Sequence, residues 1–338
     1  MSQQKGHHVC ILNRKSSRAH CARSFLLCLT LPILGSVTVS RSSAQTAAPA
    51  ANNDCKLSEL GCRQDTQRNE SGVKTGKVDE PNSEASPTIQ DNSFLVEEAY
   101  NQEFGVVQHI QNFQRYWNSK DWMYTFTQEW PVDASPRHQL SYTLAALHAG
   151  DQPASGGGFG DVFLNYRYQL LGNGRAKVAF APRFSVLLST GDYRRGRGTG
   201  GTGIQGLLPL SVVLNRKLVT HWNVGTTIIP NARNAAGETG TTFGYNFGQS
   251  VVWLAHPRFN VLLETVFNRS QQVTAPKTTQ WTSDLLLNPG IRWAYNFRNG
   301  LQIVPGVAVP FGVGPSSGEK GIFIYLSLEH PYRKLPKE

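Results

Sequence analysis

The amino-acid sequence predicts an all-β fold: a closed antiparallel transmembrane β-barrel of about 12 strands, preceded by a polar extension. Three features predict it. From Phe94 to Tyr332 the chain repeats one unit, an alternating apolar–polar run followed by a turn. Alternation with period two is the mark of strands whose faces meet different surroundings. The turns alternate between short and long, as in barrels with tight periplasmic turns and extended outer loops. No stretch approaches the ~18 uninterrupted apolar residues of a helical span, so a membrane reading must rest on strands.

The amino terminus, residues 1–44, reads as a secretory signal. Lys5, Arg14, Lys15, Arg18 and Arg23 precede an apolar core from Phe25 to Val39, and Ser42 and Ala44 stand before a plausible cut at Gln45. A single membrane anchor is the alternative, but the core is shorter than a span requires. The formal charge of +10 is largely a property of this segment, because it holds these five cations, Arg41 and no Asp or Glu. Without it the excess falls to +4 (33 − 6 basic against 23 acidic residues). No basic stripe or RNA-binding motif remains, so no nucleic-acid partner is expected.

Cys10, Cys21 and Cys28 lie in the signal, leaving Cys55 and Cys62 in a segment bound for an oxidising compartment. A local Cys55–Cys62 disulfide is one reading of that pair and metal binding another, the latter without a nearby histidine. No C-x-x-C-H haem motif is present, and no cofactor or metal is expected. Residues 45–93 are rich in Asn, Ser, Glu and Pro and poor in large apolar residues. Such a segment buries too little surface to offset its ordering entropy, which predicts a flexible periplasmic extension.

The barrel is expected over residues 94–338, with strands near 104–116, 121–131, 138–148, 160–171, 175–189, 204–215, 218–230, 242–255, 258–272, 278–297, 300–312 and 320–330. Phe104–Trp117 alternates poorly, so the first of these also reads as a helix or plug segment. Elsewhere the faces are distinct. Val162, Leu164, Tyr166, Tyr168 and Leu170 oppose Asp161, Asn165, Arg167 and Gln169. Further on, Leu285, Leu287, Ile291, Trp293, Tyr295 and Phe297 oppose Asp284, Asn288, Arg292 and Asn296.

Aromatics are expected in girdles at both interfaces, with Trp122, Trp130, Trp222, Trp253, Tyr325 and Tyr332 as candidates. The polar faces carry Glu129, Arg167, Lys177, Arg183, Glu264, Asp284 and Arg292, which predicts a charged lumen of both signs. Pairing inside a closed barrel and a role in permeation both account for these charges. Short turns at Gly172-Asn173-Gly174, Asn215-Arg216-Lys217, His256-Pro257-Arg258 and Arg298-Asn299-Gly300 then face the periplasm. Loops around Gly156, Arg195, Ala235, Ala275 and Ser317 face outside.

Two motif matches fail on context. Gly201-Thr202-Gly203-Ile204-Gln205-Gly206 fits G-x-G-x-x-G, but it leads into a strand where a nucleotide site needs a helix. His138, His221 and His330 lie on different strands with no H-E-x-x-H or G-x-S-x-G nearby, so no catalytic residues are expected. Arg194, Arg195 and Arg197 could meet lipopolysaccharide phosphates from an outer loop, or be solvated loop charges.

Gly158-Phe159-Gly160-Asp161-Val162 with Asn165-Tyr166-Arg167-Tyr168, then Thr190-Gly191-Asp192, then Asn288-Pro289-Gly290-Ile291-Arg292, together resemble a known family. It is the outer-membrane transporter family named for the MetA pathway of phenol degradation, and the resemblance spans roughly 121–332. Ser189 stands where that family's turn carries proline. The resemblance implies passive passage of small, often aromatic, molecules across the outer membrane. The expected partners are outer-membrane lipid, lipopolysaccharide and a small-molecule solute. A non-conducting structural or loop-binding barrel is the competing class.

Overall fold

The computed structural model describes residue 89 and residues 91–133, 135–150 and 156–332. The signal, Cys55 and Cys62 therefore lie outside the described residues, as does most of the polar extension. Twelve antiparallel strands close on themselves. They are β1 Val106–Tyr116, β2 Trp122–Pro131, β3 His138–His148, β4 Gly158–Phe159 continued by Val162–Tyr168, and β5 Val178–Phe180 continued by Arg183–Leu188. Next come β6 Gly203–Asn215, β7 Leu218–Arg233, β8 Thr239–His256 and β9 Phe259–Ala275. The last three are β10 Thr278–Trp293 continued by Tyr295–Asn296, β11 Gln302–Ala308 continued by Phe311–Gly312, and β12 Gly321–Pro331.

Each strand pairs with its neighbour in sequence, and β1 closes the ring on β12 from Val106↔Pro331 to Tyr116↔Gly321. Phe104–Trp117, ambiguous in the sequence, thus holds a full strand whose inward row is Gln108, Ile110, Asn112, Gln114 and Tyr116. Two of the four interruptions fall at prolines, whereas Gly160 and Ala294 at the other two still donate to the Ala145 and Arg258 carbonyls. Pro182 and Pro310 sit at the breaks of β5 and β11, since proline has no N–H to donate.

Side chains sort by parity. On β4, Asn165 and Arg167 are 4% and 3% exposed while Leu164 and Tyr166 are 48% and 39% exposed. Those polar residues face the lumen and the apolar ones face out, as the alternation predicts. The outward surface is a belt of Leu, Ile, Val and Phe edged by aromatics. Trp253, Phe259, Trp293 and Tyr295 border one end; Phe243, Tyr245 and Trp281 cluster near the other, with ring centroids 5.3–6.3 Å apart. Phe259 to Arg269 on β9 spans about 26 Å at the ~3.4 Å rise and ~40° tilt of barrel strands. That matches an apolar band ~25 Å tall, and the Arg269 guanidinium there lies 5.2 Å over the Trp281 ring.

Two details depart from the sequence reading. The long loop expected at Ala275 is the two-residue turn Pro276-Lys277, because β7 to β10 extend to 16, 18, 17 and 16 residues and absorb it. The tight turn expected at Gly172-Asn173-Gly174 lies within the longer connection 169–177. Strand pairing, which satisfies one more backbone donor and acceptor with each added residue, overrides local turn chemistry here. The barrel is consequently taller along β7–β10 than along β1–β3. No helix among the described residues is long and apolar enough to cross a membrane.

Candidate functional site

The lumen is occupied by the chain's own amino-terminal approach to β1. Ile89, Asp91 to Gly105 form no strand, yet Ile89, Phe94, Val96, Ala99 and Tyr100 are all buried. A coil inside a barrel must find partners for every backbone group away from water, and here lumen side chains supply them. The Glu264 carboxylate Oε1 accepts three consecutive N–H groups, from Phe94 (2.9 Å), Leu95 (2.9 Å) and Val96 (3.0 Å). Its Oε2 accepts the Asn288 amide at 2.7 Å, which fixes the carboxylate's orientation.

The remainder of the segment is held the same way. Asn223 imitates a peptide group, accepting the Glu97 N–H and donating to the Glu97 carbonyl, both at 2.7 Å. Gln169 does likewise with Asn101 N–H (2.9 Å) and the Ala99 carbonyl (2.8 Å). Gln139 accepts Gln102 N–H at 2.7 Å. Arg167 donates to the Tyr100 carbonyl at 2.7 Å, and Arg292 donates to the carbonyls of Asp91 (2.8 Å) and Asn92.

The segment rises and returns. Asp91 meets Gln108 and Tyr325 near the end of the barrel where β1 begins. Phe94–Val96 reach Glu264, the sixth residue of β9, and Gln102 returns to Gln108. We call this loop the plug. Its apex is seated by shape as well as by polarity. A Cβ at Gly290 or Gly306 would lie 2.5 or 2.6 Å from the Phe94 ring, so these glycines make the socket. Phe323 and Tyr325 pack on the same ring with centroids 5.6 Å away. Phe94→Ala would empty that socket at a cost of about 3–5 kcal/mol. Faster protease cutting of the plug, with the barrel's heat-resistant migration retained, is the expected measurement.

Five of the charged residues foreseen for the lumen therefore meet the plug or its ion-pair network. Arg183 pairs with Glu97 at 2.8 Å; Arg167 bridges Glu97 (3.5 Å) and Glu129 (3.4 Å). Glu264 and Arg292 hold the apex and the rising limb. Asp284 stands apart, accepting the Ser316 hydroxyl at 3.3 Å. Lys177 precedes β5 and is exposed. The sequence boundary at Ser93/Phe94 falls within the plug, since Asp91 and Ser93 are fully buried.

The sequence allows for residues near the amino terminus occluding the pore but does not say which ones or what holds them, although Phe94-Leu95-Val96 breaks an otherwise polar stretch and is a usable signal. Tyr325, expected in an interfacial girdle, turns inward instead and donates its hydroxyl to Asp91. Burial holds the Glu98 carboxyl well above the usual carboxylate range; Asp91 adds to the shift, Arg292 and Arg167 oppose it, and Glu129 adds again.

The histidines do not converge. His221 lies in the lumen, its Nδ1 2.7 Å from Ser211 Oγ, while that oxygen accepts the Ala99 N–H at 2.8 Å. The Ser–His contact thus fastens the plug and is covered by it, with Tyr100 edge-on to the imidazole at 6.2 Å. His138 meets Tyr166 on the outward face, and His330 stacks on His109.

The motif residues fall into two groups. Asn288, Gly290 and Arg292 are the plug's socket. Gly158, Gly160, Asp161 and Thr190-Gly191-Asp192 gather at the opposite end, where the connection between β5 and β6 folds inward. Between them lies a cavity of about 220 Å³, floored by Phe94–Glu97, whose wall mixes apolar residues such as Ile110, Phe163, Leu187 and Phe323 with polar and charged ones such as Asn112, Gln114, Glu129 and Arg183.

No family model matches the chain, and no curated protein matches it. Among solved structures, an outer membrane channel from Pseudomonas putida F1 superposes with a TM-score of 0.51 at 12% identity, over 69% of this chain and 97% of that one. The KdgM porin (TM-score 0.43, 9% identity, 67% and 99% covered) and the NanC porin (0.44, 8%, 66% and 98%) are more distant in shape. The Pseudomonas putida channel shares this chain's barrel fold.

Proposed function

We propose that this chain is an outer-membrane channel that admits small, apolar or aromatic solutes by passive passage and is closed at rest by its own plug. The observation that carries the proposal is the chamber above Phe94–Glu97. A cavity of ~150 Å³ suffices for benzene; this one, at about 220 Å³, offers an apolar face from Ile110, Phe163, Leu187, Leu286 and Phe323 beside polar and charged groups such as Glu129, Asp161, Arg183 and Arg197. The outward belt and its aromatic edges support membrane insertion, and the P. putida channel has the same fold. The motif resemblance to the transporters of the MetA phenol pathway agrees with this solute class. Passage follows from displacement of a segment held mostly by lumen side chains, toward the end of the barrel where both its limbs begin.

Lipid and lipopolysaccharide surround such a barrel, and Arg194 and Arg195 stand exposed on its outer loop. Arg197 is not available to lipid, for its guanidinium is turned inward onto the Gly157 carbonyl and Asp192. The test of function compares uptake of small aromatic solutes by wild-type and deletion strains, with liposome swelling by purified protein alongside. Absence of flux for any small solute, with the plug loosened, would instead favour a non-conducting barrel.

The buried Glu98 gives the closed state a pH dependence. Its pKa is raised in the plugged state, so the plugged state binds the proton more tightly than the released one. The resulting stabilisation is fully present below the ordinary glutamate value of 4.5 and is lost as pH rises through the raised value. Open probability in planar bilayers should rise with pH, and Glu98→Gln should flatten that dependence. A profile identical to the wild type would remove Glu98 from the closing equilibrium.

A further inference from the structure

The carboxylate of Asp161 is the second buried anchor in the lumen, and it grips an outer loop rather than the plug. Asp161 is 7% exposed and lies on the inward row of β4. Its Oδ1 accepts Gly191 N–H at 2.8 Å; its Oδ2 accepts both the N–H and the hydroxyl of Thr199 at 2.7 Å. Because this side chain points into the barrel, the backbone at Gly191 and Thr199, the two ends of the stretch, must lie inside the wall, while Arg194 and Arg195 between them stay exposed.

Three further ties hold it there. Thr190 donates its hydroxyl to the Gly160 carbonyl at 3.0 Å. Arg233 N–H, at the end of β7, donates to the Thr199 carbonyl at 2.8 Å. The Arg197 guanidinium crosses to the carbonyls of Gly156 (3.5 Å) and Gly157 (3.2 Å) in the preceding outer loop. The fit is close: a Cβ at Gly191 would lie 2.1 Å from the Arg197 carbonyl, and one at Gly198 2.7 Å from Asp161 Oδ1. Residues Asp161, Arg197, Gly198 and Thr199 also line the chamber above the plug.

We infer that residues 189–202 form a second, outer constriction, and that Asp161 is the positioning residue through which this loop sets the size limit for solutes reaching the chamber. The inference rests on the channel proposed above. It makes the lumen a compartment with two doors on different supports, the plug on Glu264 and the loop on Asp161. The G-x-G-D and T-G-D segments then have one joint purpose, since the small residues of one allow the other to enter. A carboxylate is needed because three donors converge on it, and a neutral amide oxygen accepts them more weakly.

Two readouts on the full-length protein test this. Trypsin acting on Asp161→Asn and Asp161→Ala should cut after Arg194, Arg195 or Arg197 about tenfold faster than in the wild type, as the loop's opening equilibrium shifts. Heat-resistant migration of both variants reports that the barrel remains folded. Liposome swelling is then measured with neutral saccharides graded from a pentose to a trisaccharide, in Glu264→Gln protein with and without Asp161→Asn. The expected result is a larger size limit in the double variant, with Asp161→Asn alone still limited by the plug.

Unchanged cleavage would overturn the anchoring by Asp161. Faster cleavage with an unchanged size limit would overturn the constriction. Faster cleavage with no flux in any variant would overturn the channel itself, and the constriction with it.

Discussion

Glu264→Gln should open the barrel. The carboxylate accepts three backbone N–H groups in succession from the plug apex, at 2.9–3.0 Å, while Asn288 holds its other oxygen. Bonds to an ionised acceptor contribute about 1.5–3 kcal/mol each, against about 1 for neutral ones. Replacing the carboxylate by an amide keeps the volume, weakens all three bonds and sets an NH2 group against the Asn288 donor. The loss should be at least ~1.4 kcal/mol, which is tenfold in the plugging equilibrium. Single-channel recording should therefore show an open probability about tenfold above wild type or more. The barrel wall should be little affected, since the Leu263–Pro289 and Glu264–Asn288 positions pair through backbone register rather than through this carboxylate. Closed traces indistinguishable from wild type would mean that the segment is held by packing around Phe94 and not by this anchor.

Leu263→Arg should block assembly into membranes. Leu263 is on the outward face of β9, 48% exposed, within the apolar belt between Phe259 and Arg269. An arginine near mid-belt costs about 2–4 kcal/mol in a membrane barrel. On the surface of a water-soluble barrel the same change would sit within about 0.5 kcal/mol of neutral and would aid solubility. Folding yield into lipid vesicles, assayed by heat-modifiable migration, should drop severely for Leu263→Arg and little for Arg269→Lys at the belt's edge. Equal yields for Leu263→Arg and wild type would deny that this surface meets hydrocarbon.

Both experiments address charge against environment, but they probe opposite faces of one strand. Glu264 and Leu263 are neighbours in sequence, and the pleat sends one into the lumen and the other outward. That separation is local, and for this reason it is legible in the sequence alone. The outward rows of β4 and β10 can be read residue by residue, as can the inward positions of Glu129, Arg167, Glu264 and Arg292. Strand count and closure follow, because about ten residues per run and the absence of an unpaired polar edge leave few other architectures.

What occupies the lumen is not legible in that way. Glu264 stands 170 positions from Phe94, and contact between a side chain and a coil's backbone imposes no period on either segment. The sequence accordingly specifies a set of inward charges without their partners. It also groups Tyr325 with interfacial aromatics, although β12 parity and the donation of its hydroxyl to the Asp91 carboxylate turn it inward. Loop lengths at Ala275 and Gly172 differ from the sequence reading because neighbouring strands decide how far a ladder extends. By itself, then, the sequence determined a barrel with an apolar exterior and a charged interior, since those depend on nearest-neighbour alternation. Only the tertiary structure decided that the interior holds a plug on Glu264 and an outer loop on Asp161, since those depend on groups distant in the chain meeting where water is excluded.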